Sequence, residues 1–258
     1  MEAMDMFQAI FRWVHVIAGI TWIGLLYFFN WVNSAFAPTM DGDTKKKVIP
    51  QLMPRALYWF RWGAAWTWFT GVFLILLVFY HGGLVLDDPT ADMGTAAWVL
   101  LAITFLGFLV YDLLWNSPLK ENKPVAIGVS YLLVAGFVVA MKYWGGFGYR
   151  AILIHTGAAF GTAMAFNVWF RIWPAQQKII TAIKNGQAPD AAAGALAGLR
   201  SKHNTYLSVP LVWAMINVHT TSFAFGGPGG IIGWLVIILV GWHVVFQIYK
   251  KAAKVPGF

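Results

Sequence analysis

Apolar residues dominate seven stretches of this chain, each long enough to cross a hydrocarbon core and each followed by a polar connection. They cover about residues 7–29, 57–80, 96–115, 124–144, 151–173, 205–223 and 231–249. A membrane-crossing helix needs about 20 such residues. The pattern therefore predicts an all-α, polytopic transmembrane helical bundle of seven spans, with residues 1–258 forming one transmembrane domain. The first stretch is too long and too rich in Trp and Tyr to be a cleaved signal peptide.

The connections carry their own signals. Residues 30–56 contain Pro38, Pro50, Pro54 and the run Lys45–Lys47, and read as a surface loop. Residues 81–95 are acidic through Asp87, Asp88 and Asp92. The segment 175–184 (AQQKIITAIK) has helical apolar spacing with lysines to one side and reads as an interfacial helix. A small-residue linker is expected at 188–198 and a Gly-rich turn at 226–230. Trp and Tyr gather near span ends, as anchoring at the membrane–water boundary requires.

Charge then orients the bundle. With seven spans, the side holding the N-terminus receives Arg12, Lys142 and Arg150, and the other fifteen basic residues fall on the opposite side. The positive-inside rule places the N-terminus outside and the C-terminus in the cytoplasm, in a bacterial inner membrane. The net charge of +8 thus follows the membrane and does not indicate nucleic acid. Composition agrees, at 59% hydrophobic and 11% charged residues, which excludes an ordinary soluble domain. There is no cysteine, so disulfides, iron–sulfur clusters, covalent c-type haem and thiolate zinc sites are excluded together.

Histidine is the remaining soft ligand. Five of the six histidines, His15, His155, His203, His219 and His243, fall in or at the edge of spans, and His81 falls in a loop. An intramembrane imidazole is costly unless paired or coordinated. The expected topology divides them into an outer trio (His15, His155, His219) and an inner pair (His203, His243). Two histidine layers on transmembrane helices suit haem b, one or two groups, each held by axial imidazoles from different helices. Gly19 lies one turn after His15, and Gly157 follows His155, where a flat macrocycle could approach the helix. Close helix packing explains such glycines equally well. His203 beside Lys202 is the weakest ligand candidate and reads as a substrate group or an interfacial residue.

Other polar residues gather toward the cytoplasmic half: Asp112, Asn167, Arg61, His203, Asn204 and Tyr206. A carboxylate, amides, a phenol and an imidazole at one depth suit a flat, polar substrate. A structural ion pair between Asp112 and Arg61 is the plainer reading. No nucleophile elbow, P-loop, dinucleotide fingerprint or HExxH motif is present.

Several blocks resemble a known family. WVHVIAGITWIG (13–24), WFRWGAAWTWFTG (59–71), VYDLLWNSPL (110–119), IHTGAAFGTAMAFNVWFRIWPAQQKII (154–180) and RSKHNTYLSVP (200–210) are similar to the membrane domain of PuuD-type bacterial urate oxidases, also called urate hydroxylases. The five membrane histidines fall on histidine positions of that family. The resemblance implies oxidation of urate or a related purine, with electrons passed to a cytochrome c. Family members carry a C-terminal cytochrome c domain that has no counterpart in these 258 residues, so a separate cytochrome c or other redox partner is expected. The residues expected to act on the purine are His203, Asn204, Tyr206, Asp112 and Asn167. His15, His155, His219 and His243 are expected to hold haem iron, with Gly19 and Gly157 beside the cofactor. The alternative is a non-catalytic haem-binding or structural subunit of a larger redox or photosynthetic membrane complex. The opening block also resembles the first span of HemJ-type protoporphyrinogen oxidases, over little else of the chain.

Overall fold

A computed structural model describes residues 3–219 and 228–256, and among these the chain is helical with no strand, only an isolated bridge between Leu86 and Phe147. Helix α1 (Ala3–Tyr27) runs on through a π-helical turn (Phe28–Asn33), a short α2 (Ser34–Phe36) and a 3-10 turn (Ala37–Thr39). The chain breaks at Met40, whose backbone is extended. Helix α3 (Gly42–Leu74) then begins, capped by Asp41, whose carboxylate accepts the backbone N–H of Thr44 at 2.8 Å and its hydroxyl at 2.9 Å. A second π-turn (Ile75–His81) extends α3.

Residues 30–56, expected as a loop, are thus helical apart from the break at Met40 and Asp41. Pro38 occupies the first turn of the 3-10 segment, where a missing N–H costs nothing. Pro50 and Pro54 lie inside α3. Good helix formers (Lys, Gln, Leu, Met) flank them, and Met53, Leu57, Phe60 and Ala64 are buried at helical spacing on one face. Burial of that face outweighs the proline signal.

Helices α4 (Thr95–Leu106) and α5 (Phe108–Asn116) meet at a 42° bend about Gly107, so the stretch expected at 96–115 is bent. A Cβ on Gly107 would lie 2.7 Å from the Ile103 carbonyl oxygen, so the bend itself favours glycine. Helix α6 (Lys123–Tyr143) starts on Asn122, whose side chain accepts the Val125 N–H. Helix α7 (Tyr149–Asn167) passes through a third π-turn (Val168–Ile172) directly into α8 (Trp173–Lys184), the expected interfacial helix. Helix α9 (Ala191–Asn217) takes in most of the expected linker. Asp190 caps it at the Ala192 N–H, and Ala193 and Ala197 pack on Ala175 beside Ile179. Alanine is the strongest helix former, and here its small side chain also makes the contact. Helix α10 is Pro228–Ala252.

Among the described residues five helical segments are long and apolar enough to cross a membrane, and the bent α4–α5 pair makes a sixth if it is one span. The end of the expected span at 205–223, and part of the turn expected at 226–230, lie outside the described residues.

Contacts divide the chain into two compact units. The first comprises Met1–Gln8, Gly71–Ala163 and Pro210–Val240. Its core includes Leu100, Met141, Phe147, Ile152 and Leu153, and its surface carries the ion pair Lys142–Asp87 at 2.6 Å. The second comprises Ala9–Thr70, Met164–Val209 and Gly241–Phe258. Here α1 and α3 meet at Gly63, where a Cβ would lie 3.2 Å from both the Ala18 carbonyl and the Trp22 nitrogen. Trp22, Leu26, Leu57 and Phe60 fill the surrounding core.

Candidate functional site

Three of the proposed ligand histidines have their ring nitrogens fixed by hydrogen bonds. His155 is fully buried in the first unit. Its Nδ1 lies 2.7 Å from the Ala151 carbonyl oxygen, which can only accept, so Nδ1 carries the proton. Nε2 is then a lone pair, and the Tyr80 hydroxyl sits 3.1 Å from it. The Tyr80 oxygen is also 3.1 Å from the Ala97 carbonyl, so one phenolic proton has two acceptors. Phe147, Tyr80 and Phe79 surround the imidazole, the Phe147 ring centre at 4.9 Å.

His15 belongs to the second unit, on α1. Its Nδ1 lies 3.1 Å from the Thr70 Oγ1, and that hydroxyl donates to the Trp66 carbonyl at 2.6 Å. Thr70 must therefore accept from His15, which again leaves Nε2 as the lone pair. No donor among the described residues reaches it. His243 is exposed on α10, and the Gln247 amide nitrogen donates to its Nε2 at 3.0 Å. His219 is exposed just beyond α9, with its backbone N–H directed to the Ile216 carbonyl. The expected outer trio thus divides, His155 and His219 in the first unit and His15 in the second.

The polar residues expected to meet a substrate fall mostly in the second unit. Asn167 and Asn204 are both buried, and the Asn167 amide donates to the Asn204 Oδ1 at 2.8 Å. Asn204 in turn donates to the Met164 carbonyl at 3.0 Å. His203 is half-buried one residue earlier on α9, within the influence of the charges of Arg200 and Lys202. Tyr206 stacks on Tyr249 with ring centres 6.1 Å apart, and the Lys202 ammonium lies over the Tyr249 ring. Asp112 belongs to the first unit, where Asn116 donates to its carboxylate at 3.0 Å. Arg61 pairs with indoles: its guanidinium lies over Trp173 at 3.9 Å and Trp169 at 5.1 Å.

Residues that sequence reasoning passed over complete these networks. Asn30, also buried, donates to the Leu26 carbonyl at 2.9 Å and to Ser201 at 2.8 Å, and accepts from the Tyr249 hydroxyl at 2.9 Å. Tyr27 meets the Ser208 hydroxyl at 3.0 Å. Each of the three π-turns supplies one partner: Asn30 from the first, Tyr80 from the second and Trp169 from the third. A π-turn inserts one residue into the helical register, and such turns recur at functional sites.

The residues can be tested against haem. An axial imidazole needs a free nitrogen lone pair, with the other nitrogen held by a hydrogen-bond acceptor. His15 fits directly, and Gly19 beside it has only Thr67 near, at an ordinary 3.8 Å from a built Cβ. His243 fits once the exposed Gln247 side chain turns away. His155 has the correct tautomer, but its Nε2 is covered by Tyr80. The space beside Gly157 is occupied by Ala214 and Met215, 3.1 Å from a built Cβ, so this glycine serves helix packing. Among the described residues no three His, Asp or Glu side chains converge to hold a metal ion by themselves.

Comparison with known proteins adds the family. No curated protein and no solved structure matches the chain significantly. The urate oxidase N-terminal family matches residues 40–254, a segment that contains His155, His203, His219 and His243, the Asn167–Asn204 pair, Tyr206 and Asp112, with His15 and Gly19 preceding it. That match spans most of the chain and joins the polar and histidine sites in one segment: this protein, a membrane protein of the urate oxidase type, belongs to the urate oxidase N-terminal family.

Proposed function

We propose that this protein is a haem b oxidoreductase of the bacterial inner membrane that takes electrons from urate or a related purine and passes them to a separate cytochrome c. The observation that carries the reading is the buried Asn167–Asn204 amide pair inside the family-matched segment. Two carboxamides offer donors and acceptors in the planar pattern of a purine edge, and a buried amide that loses one partner needs another. Purine binding would exchange the amide–amide bond for amide–purine bonds. Tyr206, stacked on Tyr249, supplies aromatic surface for a flat ring. His203 would offer an imidazole beside Arg200 and Lys202; in the first unit, Asp112 and Asn116 form a separate polar pair.

Removal of two electrons from the purine releases two protons, and two equivalents of a one-electron acceptor balance the reaction. Haem, when bound, supplies the one-electron carrier between purine and cytochrome c. His15, oriented by Thr70, would hold it in the second unit, and His155, oriented by Ala151, in the first. His219 and His243 are the remaining proposed ligands.

The experiment is a reduced-minus-oxidised spectrum of purified protein with pyridine haemochrome analysis, followed by addition of urate under anaerobic conditions. A b-type haem spectrum that urate reduces is the expected result. Protein without haem sinks the redox reading. Haem that urate and xanthine both leave oxidised sinks the purine reading and leaves a haem-carrying subunit.

A further inference from the structure

We infer that Arg61 and the indoles of Trp169 and Trp173 form a binding site for the phosphate of an anionic phospholipid, outside the proposed redox site. Arg61 lies in α3, five residues into the apolar stretch 57–80, and its neighbours Tyr58, Trp59 and Trp62 are exposed aromatic side chains. Trp173 starts the amphipathic helix α8, and Phe170 beside it is also exposed. An exposed aromatic surface where an interfacial helix leaves a membrane-crossing one is the level of lipid headgroups.

The guanidinium is held by its face and free at its edge. Trp173 covers it at 3.9 Å and Trp169 at 5.1 Å, while the Trp169 indole N–H donates to the Arg61 carbonyl at 3.1 Å and fixes that ring. Trp62 packs edge-on against Trp169 at 5.5 Å. Cation–π contact uses the flat face of guanidinium and leaves its in-plane N–H groups for an oxyanion. Among the described residues none of those N–H groups has an acceptor, and Nε is buried as well. A buried charged donor without an acceptor is costly, so a ligand is implied.

The chain supplies no carboxylate there. Residues 44–86 and 122–189, which include all of the membrane part of α3 and all of α7 and α8, contain no Asp or Glu. A phosphate diester accepts two parallel N–H bonds from one guanidinium edge, which would satisfy Nε and one Nη together. A lipid also brings acyl chains to the exposed Trp59, Trp62 and Phe170, which a free anion does not.

Native mass spectrometry of the purified chain in neutral detergent, titrated with phosphatidylglycerol or phosphatidylcholine, tests the site. The wild type should bind phosphatidylglycerol in preference to phosphatidylcholine, and Arg61→Gln should weaken that binding about tenfold, the scale of one charge-assisted contact. Arg61→Lys, which keeps the charge and loses the bidentate edge, should fall between. Arg55→Gln is the control, because Arg55 already bonds Gln51 on its own helix. Equal retention of the two lipids by the wild type, or equal phosphatidylglycerol binding by wild type and Arg61→Gln, overturns the site. Should Arg61→Gln not fold by circular dichroism, the two-lipid comparison and Arg61→Lys still decide. Inorganic phosphate or urate that displaces phosphatidylglycerol at millimolar concentration would assign the site to a soluble anion and overturn the lipid.

Discussion

At the scale of single residues, the protonation of His155 and the two amides yields two tests. Replacing Tyr80 by Phe removes the one donor that, among the described residues, reaches the buried His155 lone pair. Leaving a buried acceptor unsatisfied costs about 1–3 kcal/mol, so Tyr80→Phe should lower unfolding stability by that amount in denaturant titrations of haem-free protein. If His155 also ligates haem, the same variant uncovers Nε2, and haem content by pyridine haemochrome should stay level or rise. A fall in haem content would show that Tyr80 supports the cofactor. For the amides, Asn204→Leu should cost about 1–3 kcal/mol, and Asn167→Leu/Asn204→Leu together should recover part of it, because removing both partners leaves no orphan. Urate-dependent reduction should be lost in single and double variants alike. Turnover restored with stability in the double variant would make the pair structural. The histidines, Asn167 and Asn204 were legible in the sequence because polar groups stand out within apolar runs. Tyr80 and Asn30 were not: one reads as a span-end anchor, the other as the start of a loop. Only the π-turns that carry them turn them toward His155 and Tyr249.

Helices were legible wherever apolar periodicity was strong and misjudged where punctuation residues stood in for it. Pro50, Pro54 and the alanine-rich stretch after Asp190 look like loop in composition, yet each lies on a helix with one face buried. Glycines behave similarly, since sequence does not say which ones meet a neighbouring helix. A Cβ on Gly63 would lie 3.2 Å from backbone atoms of α1, whereas a Cβ on Gly24 would meet nothing within 4 Å. Gly63→Val should therefore destabilise by about 1–3 kcal/mol through forced separation of α1 and α3. Gly24→Ala should instead stabilise by about 0.5–1 kcal/mol through helix propensity. Thermal unfolding of both variants in one detergent checks the contrast. The start of α3 adds a pH test. The Thr44 N–H and hydroxyl hold the Asp41 carboxyl below its ordinary range. A depressed carboxyl contributes stability above its unfolded pKa and loses it as pH falls through its folded pKa. Hydrogen exchange at the Thr44 amide should accordingly gain an extra acid-side acceleration that Asp41→Asn does not show.

For the whole molecule, the open quantity is the number of crossings, and the two chain ends can measure it. Among the described residues five helical segments are long and apolar enough, the bent α4–α5 pair makes six if it is one span, and the seventh crossing expected at 205–223 begins on α9. An odd number puts the ends on opposite sides; an even number puts them together. Charge argues for the odd case. Seven crossings leave three basic residues on one side and fifteen on the other, whereas omitting the crossing at 205–223 would put Lys250, Lys251 and Lys254 with the side that holds fewest. Moving three cations to the outer face opposes the positive-inside bias. The expected result is a fluorescent green fluorescent protein fused after Phe258, an inactive alkaline phosphatase at the same place, and the reverse labelling for a tag before Met1. Both ends reporting the same side would reduce the bundle to six crossings. The direction of α10 would then reverse, and His203 and His243 would no longer share a layer.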